Sequence, residues 1–214
     1  MLIDAEESWI QDAIDDLAED MMSDHNKERV VVYNTVQLYR HDRLGYLKDM
    51  ASRADEGGYQ CGVKLVRGAY MEKERERAAS LGRPSPIQPD KASSDRDFDA
   101  AMEWVLDRID RIHLMAGSHN EASNMKLCEG MKARNLAPND PRVWFAQLLG
   151  MSDPITFNLA AMGYNVAKYV PYGPIREAIP YLIRRAQENT SVAGQTLREL
   201  ELLKQEQVRR RRDP

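Results

Sequence analysis

The sequence predicts an α/β fold built on a parallel sheet, and three features predict it. Short apolar runs rich in Val, Ile and Leu recur at residues 1–4, 30–37, 62–66, 112–116, 143–148 and 166–170. Each has strand length and nearly continuous apolarity, the pattern of a strand buried on both faces. Amphipathic stretches of helical period lie between them. The strand-then-helix unit returns at roughly 30-residue spacing, which suits right-handed crossovers in a parallel sheet.

The elements follow in order. Residues 7–22 place Trp9, Ile10, Ala13, Ile14 and Leu17 on one face, the stripe a helix turns toward a core. Residues 43–54, 95–109, 121–133 and 174–187 have similar patterns. Pro174 suits a helix N1 position, where its missing N–H would be unbonded anyway. Residues 71–90 break the rhythm: they are charged, then proline-rich over 83–89, and read as a long loop at a strand's carboxyl end. Residues 196–212 read as a helix ending in charge. Six units make an open doubly wound sheet or part of a barrel. A complete eight-unit barrel usually takes about 250 residues.

Composition narrows the function classes. With 214 residues, 43% hydrophobic and 30% charged, the chain suits one domain with a sizeable core. A net charge of −4 argues against nucleic acid as the main ligand. No apolar run approaches the roughly 20 residues that span a bilayer. The start, Met1-Leu2-Ile3-Asp4-Ala5-Glu6-Glu7, is too acidic for a signal or transit peptide. Cys61 and Cys128 are far apart with no CxxC partner. A disulfide framework or structural metal site is therefore not expected, and a reducing, cytoplasmic location is.

In parallel α/β folds, ligands meet the carboxyl ends of the strands. Those positions hold Asp4, Gln37, Lys64, Arg67, Tyr70, Ser118, His119 and Tyr169. Asp4 also reads as a helix N-cap, Gln37 as a partner for loop backbone, and His119 as a core or capping histidine. Lys64 sits within an apolar strand, so it points into a mouth or is a costly buried charge. Val66-Arg67-Gly68-Ala69-Tyr70 combines small residues with a cation, a composition suited to a phosphate. Tyr181, Arg184 and Glu188 share one helical stripe, with Arg185 beside it. Paired arginines bind a carboxylate through planar, bidentate hydrogen bonds; the alternative is a solvated charged helix.

These segments together resemble the proline dehydrogenase family: Asp4-Ala5-Glu6, Gln37-Leu38-Tyr39, residues 64–70, Ser118-His119-Asn120, residues 147–151, residues 169–173, and residues 181–185 with Glu188-Asn189. The resemblance implies a (βα)8 TIM barrel with FAD at its mouth, of which residues 1–191 supply about six units without the N-terminal two. Residues 192–214 would form a C-terminal helix and basic tail. It implies oxidation of L-proline to Δ1-pyrroline-5-carboxylate, with electrons passed to a membrane quinone. Arg184 and Arg185 would hold the proline carboxylate, with Tyr70, Leu148, Tyr169 and Tyr181 around the ring. Asp4 matches a carboxylate near the flavin ring and the arginines, and Lys64 a cation near flavin N5. Ala5, Gln37, Val66, Arg67, Gly68, Ser118 and His119 match cofactor contacts, and Glu188 a position near the ribityl chain. Substrate oxidation needs a neutral amine, so activity is expected to rise with pH.

Two other readings remain at this stage. One is a barrel lyase or aldolase with Lys64 as a Schiff-base amine. The other is a chain that folds without catalysing, as an inactive fragment of the parent enzyme. The tail Arg209-Arg210-Arg211-Arg212 reads as a solvated helix end or as a peripheral contact to anionic lipid.

Overall fold

The computed structural model describes residues 1–176, 178–183, 200 and 204–211. The chain runs β1 (Leu2–Ile3), α1 (Ser8–His25), β2 (Tyr33–Gln37), α2 (Arg43–Gly57), β3 (Cys61–Val66), α3 (Met71–Ser80), α4 (Lys91–Leu106), β4 (Ile112–Gly117), α5 (Glu121–Ala133), β5 (Val143–Leu148), α6 (Asp153–Ala161) and β6 (Val166–Tyr169). The six strands form one sheet in the order β1-β2-β3-β4-β5-β6, every pair parallel. This is a curled, partial barrel. Residues 178–183 and 204–211 are helical. The proposed boundary between residues 191 and 192 lies outside the described residues.

The sheet has two unlike faces. Val63, Leu65, Leu114, Ala116, Val143 and Phe145 are buried under the helices with Leu47, Met50, Phe98 and Leu127. Their neighbours Lys64, Val66, Met115, Gly117, Ala146 and Leu148 line a cavity on the opposite face. The strands thus alternate with period two, instead of being buried on both faces as their apolarity predicts. The difference arises because small and apolar side chains also line the concave face.

Three helical expectations need correction. Residues 71–90 are not all loop, because α3 occupies the first ten. Its anchors are Glu74 and Ala78, so it has no broad apolar stripe to read. Helix α4 starts at Lys91 instead of residue 95, since the Asp90 carboxylate accepts the Ser93 N–H at 2.7 Å. In α1 the predicted apolar face points outward: Trp9, Ile10 and Leu17 are 40%, 42% and 56% exposed. The buried stripe is Gln11, Asp15, Ala18 and Met22.

That polar stripe serves a network between α1, β2 and α2. Asp15 accepts hydrogen bonds from Gln11, Asn34 and Arg43, each at 2.9 Å. Its other oxygen lies 2.8 Å from Arg43, and both side chains are almost wholly buried. The Arg43 guanidinium stacks 3.8 Å from the Tyr46 ring centroid. The Tyr46 hydroxyl donates to Glu19 at 2.9 Å and accepts from Asn34 at 2.9 Å. Elsewhere in the core, burial pushes the Cys61 thiol up to about 12, with Glu19 and Asp55 adding to it, so this cysteine is an inert packing residue.

Removing one member of a buried ion pair strands the other charge. Asp15→Ala is expected to lower stability by about 3–5 kcal/mol. Urea unfolding followed by circular dichroism measures this, and an unchanged midpoint would contradict the network's role.

Candidate functional site

All six strands end at one rim, and a cavity of about 1150 Å³ opens there. Asp4, just past β1, makes an ion pair with Lys64 of β3. Asp4 is therefore not the cap of α1: the capping position is Glu7, which makes no side-chain cap. Lys64 points into the cavity mouth, and its charge is met by a carboxylate. The pair turns the Lys64 amine onto a carboxylate of the chain itself instead of leaving it to meet a carbonyl, which counts against the lyase reading.

The β3 end carries most of the polar construction. Arg67 donates from Nε to Asp95 at 2.5 Å, from one terminal nitrogen to Ser118 at 3.0 Å and from the other to Ser123 at 2.9 Å. It also stacks 4.4 Å from the Phe98 ring centroid. Arg67 thus braces β3, β4, α4 and α5 together, and Asp95 offsets its charge at the cavity wall. Burial acts to raise the Asp95 pKa, but hydrogen bonds from Lys91 and Arg67 outweigh it and hold the carboxyl below the usual range.

Gly68 has φ of +133°, and a Cβ there would lie 2.3 Å from carbons of the Tyr39 ring. Tyr39 is buried behind this loop, its N–H donating to the Arg67 carbonyl at 2.8 Å. Desolvation pushes its phenol well above the ordinary range, with the Glu74 charge adding to it.

The loop from β1 to α1 is stitched to the start of α3. The Tyr70 hydroxyl donates to Glu6, Lys73 pairs with Glu7, and Glu74 accepts from Ser8 N–H at 2.5 Å and Ser8 Oγ at 2.7 Å. Glu74 is 2% exposed. Its carboxylate supplies, from another element, the acceptor that the N-terminus of α1 lacks locally.

On the far side, His119 Nδ1 lies 3.0 Å from Ser152 Oγ, and Gln147 donates to the Ser118 carbonyl at 3.3 Å. Lys168 bonds the Met151 carbonyl at 2.6 Å and Asp153 at 2.8 Å, closing the turn after β5. Tyr169 and Tyr181 are brought together with ring centroids 5.5 Å apart. Ala5, Gln37, Val66, Leu148 and His119 all line the same cavity. The structure thus gathers every described candidate from the sequence at one mouth. Arg184, Arg185 and Glu188 lie outside the described residues.

Several cavity-lining polar groups were not singled out from the sequence: Glu6, Asn124, Gln147, Ser152 and Lys168. Glu6 and Gln147 stand inside segments that carry the resemblance, so a signal existed for them. Asn124 lies within a helix, and Ser152 and Lys168 act partly through backbone geometry, which residue type does not reveal.

Gly68→Ala is expected to cost about 1–3 kcal/mol, because the backbone is strained for an L-residue and the Tyr39 ring must move. Gly45→Ala, in α2 with nothing within 4 Å of the added methyl, should be neutral or stabilising by up to about 1 kcal/mol. Paired urea denaturation curves check the contrast; equal effects would refute it.

The comparisons with known proteins agree with this geometry. The family model described as proline dehydrogenase matches residues 1–198. Proline dehydrogenase 1, mitochondrial, of Homo sapiens is 40% identical over 215 residues, covering 99% of this chain and 36% of that protein. Hydroxyproline dehydrogenase of Bos taurus is 45% identical over 183 residues, covering 84% of this chain and 40% of that protein. The crystal structure of proline utilization A from Bdellovibrio bacteriovorus superposes with a TM-score of 0.84 at 27% identity, covering 92% of this chain and 20% of that one. The chain spans about a third of the length of the mitochondrial relatives it matches. No described helix is long and apolar enough to cross a membrane. By its match over residues 1–198 and its identity to these relatives, the chain belongs to the proline dehydrogenase family.

Proposed function

We propose that this chain provides the substrate and cofactor mouth of an FAD-dependent proline dehydrogenase, which oxidises L-proline to Δ1-pyrroline-5-carboxylate and passes electrons to a membrane quinone. The observation that carries the reading is the convergence of the family-matching side chains on one cavity at the strand ends.

The donor set fits a flavin cofactor. Gln37 Oε1 and Asn124 Oδ1 are buried acceptors without a hydrogen-bond partner among the described residues, and both residues line the cavity. Such atoms call for a ligand with N–H or O–H donors, which a flavin ring and its ribityl chain possess. When bound, FAD supplies the two-electron acceptor. The protein's part is position and charge. Gln37, Ser118 and His119 would hold the cofactor, with Arg67 bracing their loops. Lys64, steadied by Asp4, keeps a cation at the centre of the rim. Tyr70, Leu148, Tyr169 and Tyr181 would enclose the substrate ring. Arg184 and Arg185 would take its carboxylate and so orient it, a positional effect that can be worth several kcal/mol. Arg209 and Arg210 both bond Glu206, so part of the basic tail's charge is met before any lipid contact.

The test is the visible spectrum of the purified chain with FAD, before and after anaerobic L-proline, with 4-hydroxyproline run in parallel. Protein-bound flavin that bleaches with proline is expected. Bound flavin indifferent to both substrates would overturn the reading, and preferential bleaching by hydroxyproline would move the substrate to that of the bovine relative's name. Arg184→Met should weaken proline binding at least about tenfold, the scale of one lost charged hydrogen bond, while flavin content is preserved. Equal loss of both would contradict the carboxylate assignment.

A further inference from the structure

The charges lining the cavity are mostly met by opposite charges. Asp4 pairs with Lys64, Arg67 and Lys91 share Asp95, and Lys168 pairs with Asp153. Glu6 is different. Its Oε2 accepts from the Tyr70 hydroxyl, a neutral donor, and no cation among the described residues pairs with it. Among the described residues no group donates to Oε1. Glu6 therefore contributes a net negative charge to a wall that is otherwise balanced nearby.

Glu6 is also held in place. Its own N–H donates to the buried Gln11 side chain at 2.8 Å. The next two residues, Glu7 and Ser8, are tied to Lys73 and Glu74 of α3. A carboxylate fixed by its backbone, by its neighbours and by a phenol is preorganised, so little ordering cost remains when a ligand arrives. A cyclic amino acid brings two charges to this mouth: a carboxylate and a ring ammonium. The carboxylate needs cations. The ammonium needs an acceptor that is not already neutralised, and Asp4 is already engaged by Lys64.

Resting on the proposed function, we infer that Glu6, oriented by Tyr70, is the specificity-determining residue that recognises the ring ammonium of the arriving substrate, whose proton then leaves to solvent at the open mouth before oxidation. Tyr70 then has two tasks. Its ring forms cavity wall, and its hydroxyl aims Glu6.

The test compares two ligands by anaerobic calorimetry on the chain loaded with FAD and reduced by dithionite, so that substrate binds without being oxidised: L-proline, and cyclopentanecarboxylate, which keeps ring and carboxylate but lacks the nitrogen. Glu6→Gln should weaken L-proline by roughly tenfold or more, the worth of one charged hydrogen bond, and leave cyclopentanecarboxylate within about twofold. Glu6→Asp, which keeps the charge, should recover part of the loss. Tyr70→Phe in the Glu6→Gln background should widen the gap between the two ligands no further. Intact binding of cyclopentanecarboxylate shows that the variant is folded. Equal weakening of both ligands would make Glu6 merely structural and overturn the inference, as would no change in either. A wild-type chain that loads FAD and binds neither ligand would refute the proposed function itself, and this inference with it.

Discussion

Because every strand pairs in parallel with its neighbour in the chain, six carboxyl ends share one rim, and each loop that leaves a strand enters the same space. The register of that pairing decides which side chains reach it. In β3, Val63 and Leu65 face the helices while Lys64 faces the cavity. A slip of one residue would exchange them, placing a lysine in the core and a leucine at the mouth. An unpaired buried ammonium costs far more than any strand contact gains, so the core face fixes the rim. The ion pair between Lys64 and Asp4 is a consequence of that register.

The polar groups of the rim and those beneath the helices do different work. Around the rim, exposed pairs such as Lys168 with Asp153 contribute little stability each. Their effect is positional, because they join residues of separate loops. Arg67 shows this most fully, reaching residues from α4, α5 and the end of β4 with one planar group. Beneath the helices, Asp15 and Arg43 are nearly inaccessible, and their geometry is satisfied from several sides. Loss of one partner there threatens the fold, whereas loss of one rim pair threatens alignment.

The strands were legible because a parallel sheet demands short apolar runs, and the chain contains six of them. The cavity was legible as a set of polar residues at the ends of those runs. Helix α3 was not, since it docks through the buried carboxylate of Glu74 and presents no apolar stripe. Helix α1 misled for the opposite reason. Its conspicuous stripe of Trp9, Ile10 and Leu17 faces outward, and its buried stripe contains Gln11 and Asp15, whose partners are distant in sequence. Short α6 is apolar with few contrasts around its circumference, so periodicity could not mark it. For α1 and α3 the missing information was a contact between residues far apart in the chain.

Helix α3 also shows how such contacts bind stability to site geometry. The first turn of α1 has N–H groups that no local side chain caps. Glu74, 66 residues further along, accepts the Ser8 N–H and hydroxyl. A carboxylate at that position meets both the orphan donors and the positive end of the helix dipole. The same turn of α3 begins at Tyr70, whose hydroxyl meets Glu6 two residues before Ser8. The contact that completes α1 therefore also sets the separation of Glu6 and Tyr70 at the cavity wall. Any change that moves α3 must uncap α1 or break the Glu6 contact, so the helix is held to one position by two costs of different physical origin.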